Sequence, residues 1–378
     1  MDLQGYIEKY GHESIKNKPI NEVDLGFFAF ASYLEFQLCY SEESKLNIDS
    51  SFDDFAKENG KYIKKMANLT ISPKEAFNTS KAFFKSKRFK KTKILNYRIE
   101  EIPKSYIQYG VFLFKLDEDN YVISYRGTSP VIYGWEEDIL MLIGSIESES
   151  FAVEDLIKFI SIIPEGKKIY VVGHSKGGEL ASYASTYANK DIQNRISKII
   201  SFDGPGRKVP LYQQEGFKNI KSKYLKLIPV DDVIGVMLND FSDYKVVVAD
   251  TSNGVSQHSL FTWHCHQNSF IKADSLSKNS IAFSLAFNTW INSVSEEEAK
   301  TIIHQIFELL DKSGIKAIND LGNTITEQMR TLANLYKSVP KSNRKAAYKA
   351  TQTLFKLFLK YRFSSLPNNS KKKKVKNT

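Results

Sequence analysis

The sequence predicts an α/β protein: a mostly parallel central sheet covered by helices, with helical additions at both ends. Three observations carry this expectation. Strand-like and helix-like segments alternate between about residues 109 and 250, the strand-like ones are nearly continuous apolar runs, and the segments on either side of this region read as helix. Alternation with apolar strands means strands buried on both faces by crossover helices.

Residues 1–105 read as a helical N-terminal or cap region. Within it, "NEVDLGFFAFASYLEFQLCY" spaces Leu25, Phe28, Ala31, Leu34 and Leu38 as one helical face, and Phe27 and Phe30 widen that face, so the helix should be buried on most sides. The core is expected over residues 106–268. "GVFLFKL" and "YVISYRG" form a hairpin joined by Asp117, Glu118, Asp119 and Asn120. "WEEDILMLIGS" and "AVEDLIKFISII" then read as helices, "KKIYVV" as a strand, "GGELASYASTYAN" as a helix, and "SKIISF", "KYLKLI" and "KVVVA" as further strands. Residues 269–340 should be a helical region packed on the core. Its second helix opens on a capping box of Ser295 and Glu298 and ends at Gly314. Residues 341–378 read as a basic helix, about Ser342 to Arg362, and a Lys-rich tail without structure.

Apolar residues make up 42% of the chain and charged residues 25%, the proportions of an ordinary globular protein. Cys39 and Cys265 allow at most one bridge, which excludes a disulfide framework and favours a reducing compartment. The first residues lack a basic segment leading into an apolar run, so no secretory signal is expected, and the apolar stretch Leu25–Phe36 is too short to span a bilayer. A cytoplasmic protein is the expectation. The net charge of +10 is concentrated: fourteen Lys and Arg and no Asp or Glu follow Glu327, so the chain before them carries about −4.

The chemistry is concentrated in "VVGHSKGGELASYAS". Gly173-His174-Ser175-Lys176-Gly177 fits G-x-S-x-G between an apolar strand and a helix, the setting in which a serine is held at a tight, strained corner with its hydroxyl above the sheet. Gly173 and Gly177 supply the small neighbours, and the N–H of Lys176 is one donor for a developing oxyanion. A hydroxyl needs a base, and the base needs an acid. Of the histidines after Ser175, His304 sits inside a helix and reads as structural. His264 and His266 flank Cys265 without a second ligand cluster, so no metal is expected. His258, in a loop after "KVVVA", is the candidate base. Asp231 is the first candidate acid and Asp232 the alternative, both just beyond "KYLKLI"; Asp203, in "SFDGPG", is a third. Thr128, after Gly127 at the end of "YVISYRG", is the candidate second oxyanion donor.

Taken together, Arg126-Gly127-Thr128, the Trp135 to Asp138 segment, Gly173 to Gly178, Phe202-Asp203-Gly204-Pro205, Asp231-Asp232 and His258 resemble the class 3, fungal-type lipase family over roughly residues 105–265. A closer likeness, carried also by "NEVDLGFFAFASYLEF", "IGVMLNDFSDYKVV", "GVSQHSLFTW" and "FNTWINSVSEEE", is to a bacterial family of hydrolase-like proteins known as a domain of unknown function, DUF2974, over most of residues 1–325. The resemblance implies an α/β-hydrolase fold and a serine hydrolase of the lipase or carboxylesterase type, acting without a cofactor on acyl lipids or small acyl esters. The alternatives are a thioesterase or other acyl hydrolase, or an inactive hydrolase fold that binds lipid. The basic segment, with Leu354, Phe355, Leu357, Phe358, Leu359 and Phe363 among Lys and Arg, suits an anionic membrane surface and would place the protein at the inner face of the membrane. No nucleic-acid recognition motif accompanies it, so no nucleic-acid partner is expected.

Overall fold

Side chains of successive strand residues point to opposite faces, so a strand buried on both sides must be apolar at odd and even positions alike. The computed structural model, which describes residues 1–58, 60–68, 70, 72–129, 132–239, 244–250, 254–312, 314, 353 and 356–362, has such a sheet. Its strands are β1 (Lys93–Ile102), β2 (Ile107–Lys115), β3 (Asn120–Tyr125), β4 (Lys168–His174), β5 (Ile196–Phe202), β6 (Tyr224–Pro229) and β7 (Tyr244–Val247). Beyond a two-stranded ribbon of β8 (Cys265–His266) and β9 (Ser269–Phe270), the last strand, β10 (Lys272–Ala273), closes the far edge. The order is β1-β2-β3-β4-β5-β6-β7-β10. Strands β3 to β7 run parallel, while β1, β2 and β10 pair antiparallel at the two edges.

Alternate residues feed two separate cores. Phe112, Phe114, Val172, Ile200 and Phe202 enter one, and Val111, Leu113, Val171 and Ile199 enter the other. The first face is covered by the N-terminal helices α1 (Leu3–Tyr10), α2 (Glu22–Ala31), α3 (Phe52–Lys57), α4 (Lys61–Ala67) and α5 (Pro73–Lys85). After α6 (Ile132–Ile143), the second face is covered by α7 (Glu147–Ile162), α8 (Lys176–Tyr187), α9 (Lys190–Arg195) and α10 (Glu215–Ile220). A one-turn helix α11 (Gly254–Gln257) precedes His258, and α12 (Lys278–Asn292) and α13 (Glu296–Lys312) follow. These last two pack on α6 through Leu142, Ile143, Phe287, Ile291, Ala299 and Phe307, forming a small core of their own. The expected capping box opens α13, with the Ser295 amide donating to Glu298 and the Glu298 amide to Ser295 Oγ.

Two expectations are corrected. The N-terminal region is not all helix and loop, because β1 lies within it. The helix read through to Leu38 ends at Ala31, where the Ser32 hydroxyl turns back to Ala29 O at 2.8 Å; Leu38 falls in a separate short turn and is 42% exposed. Gly314 follows α13 as expected: with a positive φ of 79° it stands two residues after Lys312, the position at which a left-handed glycine ends a helix. Of the expected basic helix, residues 356–362 are helical and touch α12, Tyr361 hydroxyl to Thr289 hydroxyl at 3.0 Å. Leu354, Phe355, Phe363 and the Lys-rich tail lie outside the described residues. Both cysteines are buried and unbridged, and no described helix is long and apolar enough to cross a membrane.

The N-terminal layer is held by a buried ion pair as well as by aromatic packing. Arg88 and Asp24 are both fully buried; Arg88 Nε donates to Asp24 Oδ1 at 3.0 Å, and the Tyr6 hydroxyl donates to the same oxygen at 2.9 Å. Burial alone drives the Asp24 pKa upward, and the guanidinium opposes that shift. Removing the cation leaves a buried, uncompensated carboxylate. Arg88→Ala is therefore expected to cost about 3–5 kcal/mol in urea unfolding, and Arg88→Met combined with Asp24→Asn should recover most of that loss.

Candidate active site

Strand β4 lies between β3 and β5, all three parallel, so its C-terminal end is in the middle of the sheet. Ser175 follows directly, at φ 58° and ψ −131°, a backbone conformation that non-glycine residues rarely adopt. The chain then enters α8. Both expected glycines are required by space. A Cβ on Gly173 would sit 2.1 Å from Gly177 O, and one on Gly177 would sit 2.2 Å from Tyr125 O. The first turn of α8 is thus pressed against the end of β3.

Inside that turn, the amides of Gly178 and Glu179 fold back on Ser175 O at 2.9 and 3.3 Å. The N–H of Lys176, first residue of the helix, has no helical acceptor and belongs to the positive end of the helix dipole. Its side chain points inward instead: the buried Nζ donates to Gln108 O at 2.8 Å and to Glu137 Oε2 at 2.6 Å. Glu137 also accepts from the Gln108 amide at 3.0 Å, so one carboxylate ties α6, β2 and α8 together. Thr128 is buried just beyond β3, and its hydroxyl donates to the Asp138 carboxylate. Gly127 beside it has no room for a side chain, since a Cβ would meet Tyr33 Oη and His174 O.

His258 is fixed through its neighbour. His174 Nε2 lies 2.7 Å from the His258 carbonyl, and Tyr33 Oη lies 2.8 Å from His174 Nδ1. Burial holds the His174 pKa well below the ordinary imidazole value, so the ring is neutral. Its Nε2 must carry the proton to donate to the carbonyl, which makes Nδ1 the acceptor from Tyr33. The two imidazoles lie 4.5 Å apart, which carries the His258 ring to the strand end where Ser175 sits. Ser175 Oγ and His258 are not hydrogen-bonded to each other, a separation common before substrate binds.

The carboxylate on His258 is Asp203, with Nδ1 to Oδ2 at 2.6 Å. Neither Asp231 nor Asp232 bonds the imidazole, which corrects the expected pairing. Asp231 faces elsewhere: its carboxylate accepts from the Ser277 hydroxyl and its amide donates to Gln257 Oε1 at 2.8 Å, steadying the residue before His258. Asp232 stands behind Asp203, one carboxylate oxygen of each lying within 4.8 Å of the other, and the Val236 amide donates to Asp232 Oδ2 at 3.3 Å. The physical reason is strand order. Asp203 ends β5, the immediate neighbour of β4, whereas Asp231 and Asp232 follow β6, one strand further out. Asp203 also has a positive φ, 52°, and a Cβ on Gly235 would lie 2.2 Å from its Oδ1, so a bare backbone is needed there.

Both carboxyls are fully buried, and burial raises both: Asp203 up to about 8, Asp232 well above its ordinary range. Their closeness lowers Asp203 and raises Asp232, so Asp203 is the first of the pair to ionise as pH rises. Burial also lowers the His258 pKa, with the nearby Asp232 and Asp138 opposing that shift. One ligand atom from each of Asp203, Asp232 and His258 falls within 4.8 Å of the others, and the hydrogen bond between His258 and Asp203 accounts for the closest of these approaches. Elsewhere, His264 pairs with Asp250, Cys265 donates to Met1 O, and His304 meets Glu136 at 3.1 Å. Among the described residues these join no cluster of three metal-ligating groups.

A serine at such a corner, on the central strand of a parallel sheet, with an imidazole and a carboxyl brought in by other strand ends, defines the α/β-hydrolase class. The chain belongs to the Mbeg1-like family, whose profile matches residues 83–308, and the family likeness read from the sequence is thereby borne out. No curated protein matches the chain by sequence. Among solved structures it is similar to M37 lipase (19% identity, 56% of this chain and 69% of that one, TM-score 0.35). It is also similar to lipase II from Rhizopus niveus (13%, 67% and 83%, TM-score 0.35) and to a mutant form of MDLA from Penicillium cyclopium (12%, 71% and 87%, TM-score 0.36). At these scores the likenesses carry no argument about chemistry, which rests on this chain's own residues.

The close contact at Gly177 generates a stability prediction. Gly177→Ala forces its methyl group against a strand carbonyl, so urea unfolding should show a loss of about 1–3 kcal/mol, whereas substitution of Gly166, whose Cβ would meet nothing, should cost only the strain of its positive φ.

Proposed function

We propose that the protein is a serine hydrolase of the lipase or esterase type that cleaves carboxylic esters with Ser175, His258 and Asp203. The observation that carries this reading is the strained corner at Ser175 combined with an imidazole whose Nδ1 is engaged by a buried carboxylate, leaving Nε2 to act as base. Ser175 Oγ attacks the ester carbonyl carbon while Nε2 takes the hydroxyl proton. The carbonyl π bond opens onto oxygen, where the N–H groups of Lys176 and Thr128 are the proposed donors. Collapse breaks the ester C–O bond, and the imidazolium returns its proton to the leaving alcohol. Water then repeats the sequence on the acyl-enzyme and releases the acid. Asp203 holds the tautomer and balances the imidazolium, and Asp232 keeps the charge on Asp203 by holding the shared proton.

The apolar cap formed by α6, α12 and α13, with Trp135, Ile139, Phe283 and Trp290 on its margins, supports an acyl substrate, either acyl lipids or small acyl esters. Matched oxyesters and thioesters separate this reading from a thioesterase, since a triad alone does not choose the leaving group. The test is hydrolysis of p-nitrophenyl esters from acetyl to palmitoyl, with fluorophosphonate labelling. Turnover and labelling should both vanish in Ser175→Ala; a folded wild type that neither turns over nor labels would make the corner architecture only, on a lipid-binding module.

The choice of acid has its own test. Asp203→Asn should lower kcat by about 10²–10⁴-fold, while Asp231→Asn should stay within a few-fold. The active form has neutral His258 and ionised Asp203, so activity rises with pH as the unit loses its proton. Asp232's hydrogen bond lowers the Asp203 pKa; removing the donor in Asp232→Leu should therefore move the ascending limb to higher pH, and Asp232→Asn, which keeps a donor, should leave it in place. A limb that ignores the difference between Leu and Asn would contradict the role given to Asp232.

A further inference from the structure

On the β5–β6 side of α8 lies a cleft of about 480 Å³, open solvent included, that neither Ser175 nor His258 lines. Its apolar lining is Pro210, Leu211, Phe217 and Leu238, with Tyr212, 41% exposed, beside them. Its charged and amide side chains are Glu179, Arg207, Lys226 and Asn239, each more than nine-tenths buried, and Tyr224, whose hydroxyl accepts from Ser182 Oγ at 3.3 Å, also lines it. Several of their atoms make no hydrogen bond: Asn239 Nδ2 is buried without one, and Arg207 Nη1 and Glu179 Oε1, an ion pair at 3.7 Å, likewise have none. Unspent buried donors and acceptors cost free energy unless something fills them.

The donors are held in place by what surrounds them. Arg207 Nη2 donates to Glu149 Oε1 at 2.7 Å, and the guanidinium lies 4.7 Å over the Tyr183 ring. Asn239 Oδ1 accepts from Lys226 Nζ at 3.2 Å, which fixes the amide with its Nδ2 free. Glu179 Oε1 is 3.7 Å from Arg207 Nη1, too far for a hydrogen bond. The amide of Gly206 is tied to Met237 O at 2.7 Å, so the two loops that carry Arg207 and Asn239 are joined.

We propose that this cleft is a second ligand site, distinct from the serine corner, which binds a small monocarboxylate with a hydrocarbon body. Two N–H donors of planar groups, Arg207 Nη1 and Asn239 Nδ2, make no hydrogen bond and offer one donor to each oxygen of a carboxylate. The apolar walls take the hydrocarbon. A phosphate would bring more charge against the Glu179 and Glu149 carboxyls and leave the apolar walls unfilled. Because Glu179 sits on the first turn of α8, a ligand here touches the helix that carries Lys176.

Isothermal titration of the full chain with acetate, butyrate, hexanoate and benzoate, and with inorganic phosphate, tests the proposal. Saturable binding is expected, tightening from acetate to hexanoate by up to about fourfold per methylene. Asn239→Asp keeps the acceptor for Lys226 but replaces the free donor by a negative oxygen, and should weaken hexanoate by about tenfold or more. Arg207→Gln should do the same, and a thermal melt of each variant shows whether it is folded. His258→Ala should bind hexanoate as the wild type does. No saturable binding of any carboxylate, phosphate binding in preference to hexanoate, or binding lost in His258→Ala but kept in folded Asn239→Asp would overturn it.

Discussion

The backbone of Ser175 turns from strand to helix within one residue, and the rest of the site depends on that turn being forced. Left-handed backbone at a non-glycine residue is unfavourable, of order 1–3 kcal/mol, and persists only where the surroundings leave no alternative. Here the close approach of Gly173 to Gly177, and of Gly177 to the end of β3, supplies the compulsion. The same contact sets the first turn of α8 against Tyr125 and Arg126, the residues that lead into the Gly127-Thr128 segment. Asp203, on the next strand, has the same left-handed character, so the pair of side chains with the most specific geometry sits at two adjacent strained strand ends.

Electrostatics follow from how dry these strand ends are. Asp203 and Asp232 are both removed from water, and two adjacent carboxylates cannot both ionise at neutral pH. Asp203 is the first of the two to ionise, and a single negative charge then faces the imidazole while Asp232 keeps its proton. His174 adds a second control: neutral, donating to the His258 carbonyl and accepting from Tyr33, it orients the loop that carries His258 without bringing a charge to it. Lys176, next to the serine, has its ammonium buried and paired with Glu137, so its charge is neutralised within the protein.

Much of this was legible in the sequence wherever a local period or a steric rule operates. Strands β2 to β7 are read from apolar runs because both their faces are buried, and Gly173 and Gly177 are read from the demand of the corner. Strand β1 was missed because it is an edge strand: Asn96, Arg98, Glu100 and Glu101 dilute its apolar pattern, as charges on exposed edges commonly do. Leu38 fitted a helical spacing but lies after Ser32 has ended the helix. The partner of His258 was misread for a different reason. Chain order favours an acid after β6, while the geometry is decided by which strand neighbours β4, and only "SFDGPG", an acidic residue before glycine at the end of a buried strand, carried that signal. His174 and Tyr33 had none, because their roles exist only between segments 141 residues apart.

The account turns on the hydrogen bond between His258 and Asp203, and a direct measurement is the low-field proton NMR spectrum of the protein with labelled histidine. A strongly deshielded Nδ1–H resonance assigned to His258 is expected in the wild type, unchanged in Asp231→Asn and lost or moved far upfield in Asp203→Asn. A resonance that survives Asp203→Asn, or that disappears in Asp231→Asn instead, would contradict it.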